Sequence, residues 1–231
     1  MGQPGGPSRP RTGRRLHQGR DLLPGQAPDG SPSHQVTGMS EERIAGEVTA
    51  FQKILRSRRS IRRFLPTPVE PEKIRACLEA ARLAPSAHNA QPWRFVVVDD
   101  PELKDRLTAA AFSGIYAGSK FASQAPIIIV LMVKRGLVAH HLGGRFQNVH
   151  YHLVDMGIAG EHIVLQAEEL GLATCWMGWF DYRRVRKVLK VPRKFKVVSM
   201  IPVGYAEKRP KREPPRKTFE EVVTFNGIPR E

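Results

Sequence analysis

Three observations in the sequence predict an α+β layered domain. Helical and extended patterns alternate along the chain, which points to helices packed on a sheet. The run Ile127-Ile128-Ile129-Val130-Leu131-Met132-Val133 is apolar without a break and rich in β-branched residues, as a strand covered on both faces must be. Between about Val149 and Gly171, Met156, Ala159, Ile163, Ala167 and Leu170 form one stripe at helical spacing. A chain of 231 residues with 41% hydrophobic content suffices for one large domain.

Residues 1–38 are expected to stay outside that domain as a disordered leader. They scatter Arg9, Arg11, Arg14 and Arg15 among Pro4, Pro7, Pro24, Pro28 and Pro32, and have too little apolar periodicity to offset their ordering entropy. The arginine bias is that of an organelle presequence, but proline and glycine break any amphipathic helix there. The preferred reading is a tag remnant or a misplaced start codon, with Met39-Ser40-Glu41-Glu42 as the natural beginning and residues 39–231 as the folded domain.

From Ser40, a plausible N-cap, Ile44, Val48, Phe51, Ile54 and Leu55 follow a helical period as far as an arginine cluster. Pro66 and Pro68 then enforce an extended link, and Pro71 opens a second helix through Ile74, Leu78, Ala81 and Leu83. Gln91-Pro92 leads rigidly into a strand from Trp93 to Val98, and Asp99-Asp100-Pro101 stops that strand and starts a helix. In the long helix, the small residues Gly157, Ala159 and Gly160 offer a face for a second backbone, as in a dimer. Leu172 to Met177 is strand-like, Asp181 caps a helix reaching Leu189, and Phe195 to Val203 is the last core strand.

The formal net charge is +15, of which the leader supplies only +3, from five Arg against Asp21 and Asp29. The folded part is therefore basic in its own right and favours anionic partners: nucleotides, phosphates, polyanions or membrane surfaces. Cys77 and Cys175 are too few for a disulfide framework or thiolate cage and suit a reducing cytoplasm. No apolar run is long enough to span a bilayer as a helix. A soluble, cytoplasmic protein with no membrane partner is expected.

Several chemistries lack their motifs. No Gly-x-Gly-x-x-Gly or phosphate loop follows a strand, and no serine-hydrolase elbow is present. His140, His141, His150 and His152 match no metal-binding spacing, so no metal is expected. Cys175 sits in an apolar stretch and reads as a small core residue.

The arginine cluster carries the chemistry. Arg56-Ser57-Arg58-Arg59-Ser60-Ile61-Arg62-Arg63-Phe64 packs five arginines and two serines into nine residues. Guanidinium groups bind phosphate through paired hydrogen bonds and keep their charge at any working pH, so the cluster reads as a seat for an anionic cofactor. Alone, it could equally be a solvated basic run or a nucleic-acid contact. Three further motifs follow: Ala84-Pro85-Ser86-Ala87-His88-Asn89-Ala90-Gln91-Pro92-Trp93, then Gly171 to Asp181 around Cys175-Trp176-Met177-Gly178-Trp179, then Val203-Gly204-Tyr205-Ala206 with Arg216-Lys217 and Phe219-Glu220-Glu221-Val222-Val223.

In this order the four motifs resemble the FMN-dependent nitroreductase family over nearly all of residues 40 to 225. The resemblance implies a three-layer sandwich with a mixed sheet flanked by helices, and a homodimer enclosing two FMN sites at its interface. Arg58, Arg59 and Ser60 would hold the phosphate and ribityl region, with Arg216 and Lys217 as the C-terminal basic pair near the phosphate, in a register blurred by Lys208, Arg209, Lys211 and Arg212. Arg62 would face the N1/O2 edge of the flavin, where a cation stabilises negative charge on the ring; the plainer reading is a surface ion pair. Pro85, Ser86, Ala87 and Asn89 would come from the partner subunit and pack over the ring, though the same residues can simply end a helix. Lys120 matches a basic residue near the flavin or nicotinamide. Met177-Gly178 would aim a backbone N–H at N5, glycine suiting close approach or an unusual φ. Trp179 stands where many relatives carry a small residue, which narrows the expected pocket.

The activity so implied is NAD(P)H-dependent electron transfer, by a ping-pong mechanism, to an electron-poor small molecule such as a nitroaromatic or quinone. Chemistry centred on the flavin needs no catalytic side-chain triad. Flavin-fragmenting and dehalogenating relatives on the same fold are the first alternative. A nucleic-acid or polyanion-binding protein is the second, disfavoured because aromatics do not interleave with a basic stretch.

Overall fold

The computed structural model describes Gly2, residues 48–134 and residues 149–228. The rest of the expected leader, the Met39 start, His140 and His141 lie outside the described residues.

Helix α1 (Ala50–Ser57) begins at a capping box: the Gln52 N–H donates to the Thr49 hydroxyl at 3.2 Å, and the Thr49 N–H donates to the Gln52 side chain at 2.9 Å. Thr49 is extended, with φ −62° and ψ 159°, so the helix does not run on from Ser40 as the apolar period suggests. Helix α2 (Pro71–Arg82) opens on its proline as expected, strand β1 spans Trp93–Val98, and helix α3 (Pro101–Ala111) is capped by the Asp100 carboxylate, which accepts from the Leu103 N–H at 2.7 Å. Gly114–Gln124 winds as 3-10 turns into strand β2 (Ile127–Lys134). Helix α4 (Tyr151–Glu169), strand β3 (Ala173–Thr174), helix α5 (Tyr182–Val188), strand β4 (Phe195–Gly204) and the short helix α6 (Phe219–Val222) complete the order.

The sheet order is β1-β2-β4-β3, with every neighbouring pair antiparallel. The mixed character expected of it is confined, among the described residues, to one parallel bridge between Ser60 and Thr174. Strand β2 is buried from Ile127 to Val133, as its unbroken apolar run requires. Its side chains alternate. Ile128, Val130 and Met132 join the core with Leu107 and Ala111 of α3 and Val185 of α5. Ile127, Ile129, Leu131 and Val133 join the core with Ile74, Cys77 and Ala81 of α2 and Met156, Ala159, Ile163 and Ala167 of α4. Two helical layers thus enclose one sheet, giving three layers.

Two details depart from the sequence pattern. The stretch Leu172–Met177 pairs with β4 only at Ala173–Thr174 and again at a separate Met177–Met200 bridge. Between these contacts the Trp176 ring folds over Gly160 so closely that a Cβ there would lie 2.1 Å from it. Gly160 is therefore small to admit Trp176 of its own chain, whereas Gly157 faces open space.

Where β4 ends, Tyr205 ties the sheet to α2. Its hydroxyl donates to Glu70 Oε2 at 2.5 Å and accepts from Lys73 Nζ at 2.7 Å. The hydrogen bond from Tyr205 is the largest cause holding the Glu70 carboxyl down at about 2, against an ordinary value of 4.5. A carboxyl with a lowered folded value adds stability that is complete above the ordinary value and lost as pH falls toward the lowered one. Solvent screens this exposed group, so its share is modest. The urea midpoint is expected to fall between about pH 5 and about pH 3, and Glu70→Gln to flatten part of that fall. An identical acid profile in the variant would refute the assignment.

Candidate functional site

Two buried side chains set the site from Ser60 to Phe64. Ile61 and Phe64 are buried, so Ser60, Arg62 and Arg63 are left facing outward. Backbone bonds hold this segment on both sides: the Ile61 N–H donates to the Thr174 carbonyl at 2.9 Å, the Leu65 N–H to that of Tyr205 at 2.9 Å, and the Glu207 N–H to that of Arg63 at 3.1 Å. The arginine cluster is thereby fixed between β3 and the chain leaving β4.

Past Glu207 the chain forms a basic strap. Arg209 anchors it, placing one guanidinium nitrogen 2.8 and 2.7 Å from the two carboxylate oxygens of Glu168 on α4. Its other terminal nitrogen donates to the carbonyl oxygens of Gly171 at 3.3 Å and Leu172 at 2.8 Å. Beyond this clamp, Pro210, Arg212, Glu213, Pro214, Pro215 and Arg216 face Arg58, Arg59, Ser60 and Arg62 across a cleft of about 620 Å³. Five guanidinium groups thus meet one carboxylate.

The cleft unites Arg58, Arg59, Ser60, Arg62 and Arg216 from the residues expected at a phosphate seat. Lys217 is exposed beside Arg216 without lining the cleft. Arg59 turns back on its own helix, donating to the carbonyl oxygen of Arg56 and, at 2.9 Å, to that of Arg58. Its Nε is buried with no hydrogen-bond partner among the described residues. The Arg62 guanidinium lies 5.9 Å from the centre of the Phe121 ring. Burial pushes the Cys175 thiol up despite the opposing pull of Arg62 and Arg58, in keeping with an inert core thiol beside the cluster.

Other expected residues lie outside the cleft in one chain. The turn after α2 is fixed by Asp155, whose carboxylate accepts from the Ala87 N–H at 2.9 Å. His88 and Asn89 both have φ of 52°. Within this turn Ser86 Oγ accepts from the Gln91 N–H at 3.0 Å, and Asn89 Oδ1 from Gln91 Nε2 at 2.8 Å; Pro85 is exposed. Lys120 is exposed on the 3-10 segment. Met177 is buried, its N–H and carbonyl both committed to the Met200 bridge at 2.9 and 3.0 Å, with Ser199 Oγ donating to the same carbonyl at 2.7 Å. Gly178, next along, is exposed; a Cβ there would meet nothing within 4 Å, and its φ is not left-handed. It needs no special backbone conformation, and what it offers is room.

Trp179 packs toward the 3-10 segment. Its Nε1 donates to the Ile115 carbonyl at 3.2 Å, and its ring lies 5.1 Å from that of Tyr116, tilted by 55°. Sequence reasoning missed Arg212, the Arg209–Glu168 clamp and the Asp155 anchor. Arg212 was visible only as one cation in a basic, proline-spaced run; the other two depend on contacts between distant segments.

A cleft lined by five arginines beside a sheet edge has the donors that a phosphorylated ligand requires. The nitroreductase family model matches residues 55–205, and the chain belongs to that family of oxidoreductases. It is 32% identical over 174 residues to an NADH dehydrogenase of Thermus thermophilus, covering 64% of this chain and 82% of that one. It is 28% identical over 176 residues to the 5,6-dimethylbenzimidazole synthase of Rhodobacter capsulatus, covering 68% and 84%. The solved structure of an FMN-dependent nitroreductase from Clostridium difficile superposes with a TM-score of 0.63 at 32% identity, covering 76% of this chain and 98% of that one.

The residues present fit the FMN that the family implies. A buried Arg59 Nε without a partner and a surplus of guanidinium groups suit a phosphate, and the space at Gly178 suits a ring lying close to backbone.

Removing the Arg209 side chain leaves the Glu168 carboxylate, only 8% exposed, without its cation. Arg209→Met is expected to cost about 1–3 kcal/mol in urea unfolding. Adding Glu168→Gln should recover part of that loss, and strict additivity of the two changes would rule out the clamp.

Proposed function

We propose that the protein is an FMN-dependent oxidoreductase working as a homodimer, carrying electrons from NAD(P)H to an electron-poor small molecule such as a nitroaromatic or quinone. The observation that supports it most is the meeting of Arg58, Arg59, Ser60, Arg62 and Arg216 around one cleft. FMN held by these residues would supply the redox chemistry that links NAD(P)H to the second substrate in ping-pong order.

The chain's own residues bind and orient. Arg58, Arg59, Ser60 and Arg216 hold the phosphate, with Lys217 adding positive potential at the rim. Arg62, kept in place against Phe121, supplies the cation that stabilises negative charge at the N1/O2 edge. Met177, fixed by its bridge to Met200, sets the position of Gly178, whose missing side chain leaves room for the ring. Lys120 supplies a further cation toward the nicotinamide. Residues 85–89 of a second copy cover the ring and exclude water; in one chain that turn is preformed by Asp155 but lies away from the cleft.

The purified protein is expected to be yellow, to release FMN on denaturation and to bleach on addition of NADH or NADPH. Arg58→Ala and Arg216→Ala should each weaken FMN affinity about tenfold or more, the share of a charge-assisted contact of roughly 1.5–3 kcal/mol. A protein that takes up no FMN overturns the reading. Gly178→Ala separates fold from site: thermal stability should move by less than about 0.5 kcal/mol, while turnover should fall about tenfold. A loss of stability without loss of turnover would count against the assigned role of Gly178.

A further inference from the structure

A second basic surface lies outside the phosphate cleft. Between Asp181 and Glu207 the chain has no acidic residue, and six exposed lysines and arginines run from Arg183 on α5 to Lys194 ahead of β4; Lys196, also exposed, pairs across the sheet with Val133 and belongs to the opposite side. Among the described residues only one of these is in an ion pair, Arg184, whose Nε lies 3.4 Å from Asp181 Oδ2. Val185, buried against the core, holds the helix so that Arg183, Arg184 and Lys187 stay in solvent.

This surface continues into apolar side chains. Arg184 donates to the Ser113 hydroxyl at 2.7 Å, which joins α5 to the start of the 3-10 segment. Ile115, 75% exposed, and Tyr116 follow there and contact Trp179, itself 60% exposed and adjacent to Gly178. Tyr182 is exposed at the base of α5. Cations and large apolar side chains therefore share one face, beside the residue assigned to the flavin ring.

Two kinds of polyanion fit the charge, and the aromatic rings decide between them. Base stacking by single-stranded nucleic acid needs free ring faces. Here Arg183 lies over Tyr182 at 5.8 Å, Lys194 over Phe195 at 5.5 Å, and Tyr116 packs on Trp179. Partly exposed Trp and Tyr next to an exposed Ile and a band of Lys and Arg suit the boundary of an anionic bilayer, where aromatic rings sit at headgroup level and cations attract acidic lipids.

We propose that this face docks the protein on an anionic lipid surface and presents the site to a quinone dissolved in the bilayer. The inference deepens the function proposed above and rests on it for the quinone step. It also departs from the expectation of no membrane partner, which followed from the lack of an apolar run long enough to span. The reaction balances. NAD(P)H gives a hydride, water gives a proton, and the quinone gains two electrons and two protons to become the quinol, leaving NAD(P)⁺.

The test uses FMN-loaded protein and vesicles of phosphatidylcholine with or without phosphatidylglycerol. Sedimentation with the anionic vesicles only, reversed by high salt, is expected. Lys187→Glu with Arg193→Glu and Lys194→Glu should weaken that binding by about tenfold or more, leaving melting temperature and turnover with a water-soluble quinone unchanged. Reduction of a long-tailed quinone in the vesicles should fall in step with binding. Equal binding to neutral and anionic vesicles, no binding to either, or displacement from vesicles by single-stranded RNA would each overturn the docking proposal. Vesicle binding does not depend on turnover, so a protein that docks but reduces neither quinone defeats the redox reading alone, and one that reduces the soluble quinone but never docks defeats only this inference.

Discussion

Holding five guanidinium groups around one cleft is the constraint that the surrounding structure answers. Like charges gathered around one cleft repel one another, by an amount that depends on solvent access. Burial of Ile61 and Phe64, roughly 1.5–3 kcal/mol each, works against that repulsion. Backbone bonds to Thr174 and Tyr205 and from Glu207 fix the intervening residues, so few degrees of freedom remain for the cations to separate. The remaining strain is electrostatic, and an anion in the cleft relieves it. A site prepared in this way spends little free energy on rearrangement when its ligand arrives.

The sheet makes this arrangement possible because its central strand leaves no polar face. With Ile127 to Val133 buried on both sides, helical layers must cover each face. The cover on one side is α2 with α4, and α4 in turn supplies Glu168 for the strap and Asp155 for the 85–89 turn. The cover on the other is α3 with α5, which places Asp181, through its N–H bond of 2.9 Å to the Ala111 carbonyl, directly after the Gly178–Trp179 loop. One core therefore orients both the arginine cleft and the Gly178–Trp179 loop.

Local signals explain what was legible in the sequence. Pro71, the Asp100-Pro101 pair, the unbroken run of β2 and the stripe of α4 each specify an element through neighbouring residues, and each element lies where the sequence places it. The arginine cluster and its partner Arg216 were likewise visible as residue types suited to phosphate. Features that depend on distant contacts were not. The apolar period running back to Ser40 gave no sign that the Thr49–Gln52 capping box would set the start of α1. Gly160 read as a surface for a second backbone, because only the fold shows Trp176 of the same chain filling that space. Arg209 was one cation among many until Glu168, 41 residues away in sequence, singled it out.

The charge of the chain also exceeds what one phosphate in the cleft would balance. A phosphate monoester carries at most two negative charges, and the cleft already sets five cations against Glu213. Cations on the α5 face lie outside the cleft, because none of them lines it. Unneutralised charge of this density self-repels and favours the less compact chain. With a single ion pair, among the described residues, within the six exposed cations from Arg183 to Lys194, the fold itself does little to offset the cost. An external polyanion would offset it, and the apolar side chains beside those cations favour one that offers hydrocarbon as well as negative charge.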